Sequence, residues 1–296
     1  MLSKYKHYLL LHAIIFIWGF TGILGHLIEL EAYTIVWYRV LIAAAALAVM
    51  MPLLKTSFRV KSRKRLIQIG IVGILVGLHW VTFYKAIQLS TASLGVLCLA
   101  TTTLHVSWLE PIIMKRRFSW VEFLLSLIVV YGIYFVSGEV DPSQYIAIVY
   151  GLSSALFAAC FAVFNAKLAE DVSPVQISFY EMLTAFLFLT VVLFFQGKIK
   201  PEILDMRWED FWWLLFLGVV CTSFAFLITI RIMQRLGAFT VSLSINLEPV
   251  YTFILAIFIL NENEFLSAKF YIGSLVIVLV VILNGLLRSW KKRKPA

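Results

Sequence analysis

The sequence predicts an all-α integral membrane protein, with ten transmembrane helices arranged as two inverted five-helix repeats. Three observations predict it. First, 62% of the 296 residues are hydrophobic and only 14% are charged, against about 45–50% apolar and about a quarter charged in soluble domains. Second, the apolar residues gather into runs of about 20, the length that carries a helix across about 30 Å of hydrocarbon. Third, the two halves of the chain carry matching residues at a nearly constant spacing. A soluble domain of this size has too little interior for so many apolar side chains, and a disordered chain needs the opposite composition.

The ten spans fall at 8–28, 33–54, 66–88, 91–113, 119–137, 145–166, 175–195, 211–233, 239–260 and 266–287. The first follows Lys4 and Lys6 as a secretory signal would. Its apolar run continues to Ile28, however, and no small-residue cleavage site follows, so it is expected to be a retained span. The third carries Gly70, Gly73 and Gly77 on one stripe, a pattern that allows close helix approach. Only Leu89 and Ser90 join it to the fourth, which opens on small residues and holds Thr101, Thr102 and Thr103. Trp120 flanks the fifth span, Trp208, Trp212 and Trp213 flank the eighth, and Trp290 follows the tenth, as an interfacial aromatic belt predicts. The runs are continuous rather than alternating, which excludes a lipid-facing barrel. Helices are then the remaining way to satisfy the backbone in lipid. Cys98, Cys160 and Cys221 all lie within spans and read as small packing residues.

Charge sets the orientation. Lys and Arg number 25 and Asp and Glu 16, a net +9. With the N-terminus inside, 18 basic residues flank the cytoplasmic ends, in runs such as Arg59–Arg65, Lys115–Arg117 and Arg288–Lys294. Four (Lys198, Lys200, Arg207 and Lys269) lie outside. This bias predicts cytoplasmic N- and C-termini and an even number of spans, in a bacterial inner membrane. The basic runs are therefore topogenic and lipid-facing, and no nucleic-acid partner is expected, because no folded basic face accompanies them.

The repeat is read from collinear matches. Trp37-Tyr38-Arg39-Val40 meets Phe179-Tyr180-Glu181-Met182 at a spacing of 142, and Lys85-Ala86-Ile87-Gln88 meets Arg231-Ile232-Met233-Gln234 at 146. Ala92 meets Ala238 at 146, and Phe123 meets Phe270 at 147. The units are residues 1–140 and 141–296, the second ending in the basic tail. Five spans per half place the halves in opposite senses, the inverted repeat of secondary transporters.

The chain resembles the EamA-type permeases of the drug/metabolite transporter superfamily. The resemblance rests on the ten-span, two-half plan and on Trp18-Gly19, Tyr38-Arg39, Ser90-Thr91-Ala92-Ser93-Leu94 and Asn246-Leu247-Glu248-Pro249. Family members often carry Gly-Glu after the fourth and ninth spans; here those places hold Lys115-Arg116 and Asn261-Glu262. Glu110-Pro111 lies 138 before Glu248-Pro249 and so is not its repeat mate. The resemblance implies movement of a small metabolite, such as an amino acid or a drug-like compound, by alternating access.

Polar residues within a span are costly and are functional candidates by default. Glu248 is the deepest acid and the candidate for ion coupling, with Pro249 expected to kink the helix beside it. Thr102 occupies its repeat position. Arg39 is the candidate for the polar end of a solute. Glu181 and Arg231 are expected to form an inner gate, and Lys85 to add positive charge near Arg39. Trp18, Tyr38, Trp80, Tyr84, Tyr180 and Tyr251 are candidate pocket walls, with His79, His105, Thr102 and Asn165 as polar lining. His79 and His105 also titrate in a range suited to proton relay. No His, Cys or carboxylate group recurs at metal-ligand spacing, so no metal, cofactor or catalytic group is expected. The expected partners are a small-molecule substrate, the lipid bilayer and protons or another ion, with a homodimer left open. The rival readings are a lipid-modifying membrane enzyme and a non-transporting scaffold.

Overall fold

The computed structural model describes residues 2–90, 92–137 and 144–259, together with 272, 273, 275, 276, 279, 280, 282–284 and 286. The expected matches and runs at Lys269, Phe270 and 288–294, and most of 266–287, lie outside the described residues. Twelve α-helices are described: α1 (Leu2–Leu27), α2 (Ala32–Leu53), α3 (Arg63–Gln88), α4 (Ala92–Leu99), α5 (Thr102–Met114), α6 (Trp120–Ser137), α7 (Tyr145–Leu168), α8 (Pro174–Phe195), α9 (Trp208–Gly218), α10 (Ala225–Leu236), α11 (Ala238–Ile245) and α12 (Glu248–Ile259). No strand occurs among the described residues. Among the described residues, six helices are long and apolar enough to span a bilayer: α1, α2, α3, α7, α8 and the run Trp208–Leu236. The chain is an integral, multi-pass membrane protein.

Two expected spans are not continuous. The fourth divides into α4 and α5 at Ala100-Thr101, and the ninth into α11 and α12 at Asn246-Leu247. Both divisions fall 146 residues apart. Thr101 turns its hydroxyl onto the Cys98 carbonyl at 2.7 Å, and the Thr101 amide follows at 3.1 Å. Hydroxyl back-bonding of this kind competes with the helical ladder. The two breaks are tied together: Asn246 Nδ2 donates to Thr103 Oγ1 at 2.8 Å, and Thr103 Oγ1 donates to the Ser242 carbonyl at 3.3 Å. The expected kink at Pro249 is corrected here. The interruption precedes Glu248, and Pro249 stands in the first turn of α12, where its missing N–H costs no helical bond.

The eighth span is interrupted differently. Val219–Phe224 forms a π segment between α9 and α10. The Thr222 and Ser223 hydroxyls donate to the Leu217 and Gly218 carbonyls at 2.6 and 2.8 Å. These side chains occupy carbonyls that the wider turn displaces.

The halves interlock rather than sit side by side. Helix α3 packs on α7 and α8, α2 on α8 and α9, α1 on α12, and α5 on α7. Small residues permit the close crossings. A Cβ at Gly73 would lie 2.7 Å from the Glu181 carbonyl oxygen, and one at Gly218 would lie 2.6 Å from Ile42 Cγ2. Thr252 Oγ1 donates to the Gly19 carbonyl at 3.1 Å where α12 crosses α1. The apolar outer faces carry exposed residues such as Leu187, Val191 and Phe194, as expected of helices whose solvent is lipid.

Polar ties hold the helix ends. At one end Lys198 pairs with Glu31, Arg207 with Glu29 at 2.6 Å and with Asp210 at 2.8 Å. The hydrogen bond from Lys198 holds the Glu31 carboxyl below its usual range. At the other end Arg116 bridges Glu110 (2.9 Å) and Glu122 (2.6 Å), and Glu110 also accepts the Phe239 amide at 3.2 Å. Glu110-Pro111 is thus a structural tie between α5 and α11.

Candidate functional site

A cavity lies between the halves, with about 90 Å³ open to the centre of a water molecule. That is room for several waters or one small solute, since a single water centre needs about 10–15 Å³. Its wall is mostly apolar and aromatic, from Trp18, Trp80, Phe83, Phe161 and Phe226. The polar groups on it are Thr21, Arg39, His79, Thr102, Asn165, Thr229, Ser242 and Glu248. The first residue of α5, Thr102, and the first of α12, Glu248, bring both helix breaks to the wall.

Arg39 is 3% exposed. Its Nε donates to Thr222 Oγ1 at 2.7 Å, and Nη1 to the Tyr84 hydroxyl at 3.4 Å. Its guanidinium carbon lies 4.0 Å from the centroid of the Trp80 ring, a cation–π contact. The π segment supplies this setting twice over: Thr222 accepts from Arg39, and the Cys221 carbonyl accepts from Trp18 Nε1 at 2.9 Å. These contacts orient the cation without neutralising it. None of the ion pairs among the described residues includes Arg39, Glu181 or Glu248. Arg39 and Glu248 thus line one mostly apolar cavity, a cation and an acid with no salt bridge between them.

Glu248 shares the cavity wall with Thr21. The Thr21 hydroxyl donates to the Trp18 carbonyl at 2.8 Å.

The structure brings seven of the sequence candidates to this cavity: Trp18, Arg39, His79, Trp80, Thr102, Asn165 and Glu248. His79 is fixed from behind, with Nδ1 2.8 Å from Ser154 Oγ and 3.0 Å from the Ser154 carbonyl. Tyr84 stands behind Arg39. Other candidates lie elsewhere. Tyr38 donates to the Ile203 carbonyl at 2.7 Å and Tyr180 to the Phe58 carbonyl at 2.7 Å, tying loops at opposite ends. Tyr251 packs on Phe16 and lies 3.4 Å from His12 Nδ1. His105 is half-buried beside Trp108, and its Nδ1 has no partner. Lys85 lies 5.8 Å from the Tyr33 ring centroid, away from the cavity. The expected Glu181–Arg231 contact is not formed: Arg231 is exposed, whereas Glu181 is buried and accepts from Asn165 Nδ2 at 3.3 Å.

Sequence reading passed over Thr21, Thr229, Ser242 and Thr222. Isolated hydroxyls are common in apolar helices, where they bond back to their own carbonyls. Only the crossing helix distinguishes one that meets a charge.

Apolar helices packed around a mostly apolar cavity, with broken helices meeting at its wall, are the arrangement of membrane transport proteins. The EamA-like transporter family model matches residues 6–138 and again 145–286, once in each half. The chain belongs to the EamA-like transporter family, within the drug/metabolite transporter superfamily. A crystal structure described only as that of a protein is 14% identical, covers 95% of this chain and 97% of its own, and superposes with a TM-score of 0.75. At that identity it shows the shared fold. No curated protein matches the sequence.

Proposed function

We propose that this protein is a secondary transporter that moves a small metabolite, such as an amino acid or drug-like compound, across a bacterial inner membrane. In this reading ten spans form two inverted halves, both termini are cytoplasmic, and the halves alternate access to the cavity. The observation that carries the reading is that Arg39 and Glu248, a cation and an acid with no salt bridge between them, share the aromatic wall of one cavity at the helix breaks. A buried cation already oriented by Thr222, Tyr84 and Trp80 is suited to an anionic group, since charge-assisted bonds are stronger than neutral ones. The aromatic wall suits an apolar remainder.

Glu248 supplies the coupling step. Its carboxyl takes up a proton from the cavity and releases it when the cavity opens to the side of higher pH. The bound solute's anionic group and the Glu248 carboxylate would compete for Arg39, so the two ligands are linked through one cation.

The test is flux in proteoliposomes containing the full chain, using a panel of labelled amino acids and drug-like amines with and without a pH gradient. Accumulation of a panel member that responds to the gradient is expected. Glu248→Gln should abolish the response to the gradient, and Arg39→Ala should abolish uptake of anionic solutes. If both variants transport as the parent does, these roles are wrong; if no solute moves under any gradient, the transporter reading itself fails.

A further inference from the structure

A second acid lies beyond the cavity wall. Glu181, on α8, is fully buried. Facing it from α7 is Asn165, 1% exposed and itself part of the cavity wall. From α3 the crossing partner is Gly73, which brings no side chain. Among the described residues, no charged group of α2, α3, α7 or α10 acts on Glu181, and Asn165 is its one polar partner. Asn165 Nδ2 donates to Glu181 Oε2 at 3.3 Å. The other atom of each group, Glu181 Oε1 and Asn165 Oδ1, is buried with no partner among the described residues, as is Ser178 Oγ one turn before Glu181.

The two orphans are informative together. A carboxylate and an amide already joined by one N–H···O bond each have one acceptor left over, Oε1 and Oδ1. Two acceptors cannot satisfy each other, and a buried unpaired acceptor is costly. One proton on Oε1 removes both defects: the carboxyl then donates to Oδ1, and acid and amide close a two-bond ring. No other group is needed.

We infer that Glu181 and Asn165 form a second proton-binding site, separate from Glu248 and reached from the cavity through the Asn165 amide. The proton leaves Oε1 when Asn165 turns its amide into the cavity and water accepts the proton; the carboxylate left behind is then hydrated through the same opening. Its use in coupling rests on the transporter reading, but its existence does not. A sodium ion bridging the same oxygens is the competing occupant.

The experiment is infrared spectroscopy of the full chain in lipid nanodiscs, recording the carbonyl stretch of protonated carboxyls near neutral pH, with no solute. A band component that is lost in Glu181→Gln, retained at a shifted position in Glu181→Asp, and moved promptly by exchange into D2O is expected. Gln keeps the shape and neutrality of the acid, so this variant is expected to fold. Asn165→Leu should shift the component, because the ring bond is gone, and slow its exchange. Three results overturn the inference. A spectrum unchanged by Glu181→Gln means Glu181 is ionised. A Glu181 component that resists exchange means a sealed packing group. A component removed by sodium at fixed pH means a metal site. Each would leave the flux test of the transporter reading untouched. Absent flux with the band intact would remove the transporter reading and leave the proton site.

Discussion

Arg39 on α2 and Glu181 on α8 stand 142 residues apart at matching positions of the two halves, and each sits where its helix crosses a glycine of the other half. Gly218 meets the backbone of Arg39, with its hypothetical Cβ 3.2 Å from the Arg39 carbonyl; Gly73 meets that of Glu181 at 2.7 Å. The crossings are alike, but the side chains have different surroundings. Next to Gly218 the helix widens into the π segment, and that distortion delivers Thr222 to the Arg39 guanidinium. Next to Gly73, α3 runs on as a regular helix, and Glu181 meets one amide. Two halves with one plan thus hold a cation and an acid in unequal ways, the cation oriented by three partners and the acid by one. The difference teaches that a repeat passes on where a helix crosses, while a single irregular turn decides what a charge at the crossing meets.

The largest expected effect breaks the comparison at its richer side. Arg39→Leu removes the cation and both of its hydrogen bonds, and flux of an anionic solute is expected to fall by about 10–100-fold, since a bond to a charged group is worth about 1.5–3 kcal/mol. Arg39→Lys keeps the charge but not the planar contact on Trp80, and should recover only part of the loss in the same proteoliposome assay.

The glycines come next. Gly73→Ala and Gly218→Ala each overpack a crossing, which costs about 1–3 kcal/mol. Gly73→Ala is expected to lower the melting temperature in detergent more, because its methyl meets the Glu181 backbone, whereas the methyl at Gly218 meets the Ile42 side chain. Equal losses would mean that the two crossings are equally rigid. Thr222→Val removes the acceptor for Arg39 Nε together with the hydroxyl's own bond to the Leu217 carbonyl in the π segment. A loss of about 1–3 kcal/mol is expected from the unmet bond, visible as weaker solute binding.

The smallest effect belongs to the exposed ends. Hydrogen bonding to Lys198 lowers the Glu31 pKa on folding. Its contribution is therefore present above the unfolded pKa and lost as pH falls through the lower folded value. Because the pair is solvent-exposed, Glu31→Gln should change thermal stability by under about 1 kcal/mol. The mutant should also lose the corresponding part of the parent's destabilisation in acid.

Much of the site was legible as single residues and little of it as pairs. Glu248 and Arg39 stand out in the sequence because a charge deep in an apolar run is expensive, and both reach the cavity. Glu181 stands out for the same reason, yet its expected partner Arg231 turns outward and Asn165 meets it instead. Tyr38, Tyr180 and Tyr251 read as pocket walls because aromatic residues at that depth suit one. They instead use their hydroxyls on loops and a neighbouring histidine, and hydropathy does not report that. The helix breaks left only a faint trace, a run of three threonines in the first half and Asn246 in the second.

The sequence by itself determined that this chain lives in a bilayer, roughly where its helices run, that its halves match, and which charged residues are deep enough to matter. Those properties are sums over local composition, because the transfer of each side chain into lipid is nearly independent of its neighbours. The tertiary structure alone decided which helices cross, where two of them break, that a third widens by a π turn, and which hydroxyl, ring or amide meets each charge. In lipid the greasy surfaces are equivalent, so partners are chosen by close fit and by hydrogen bonds between residues far apart in the chain. A one-dimensional pattern carries neither.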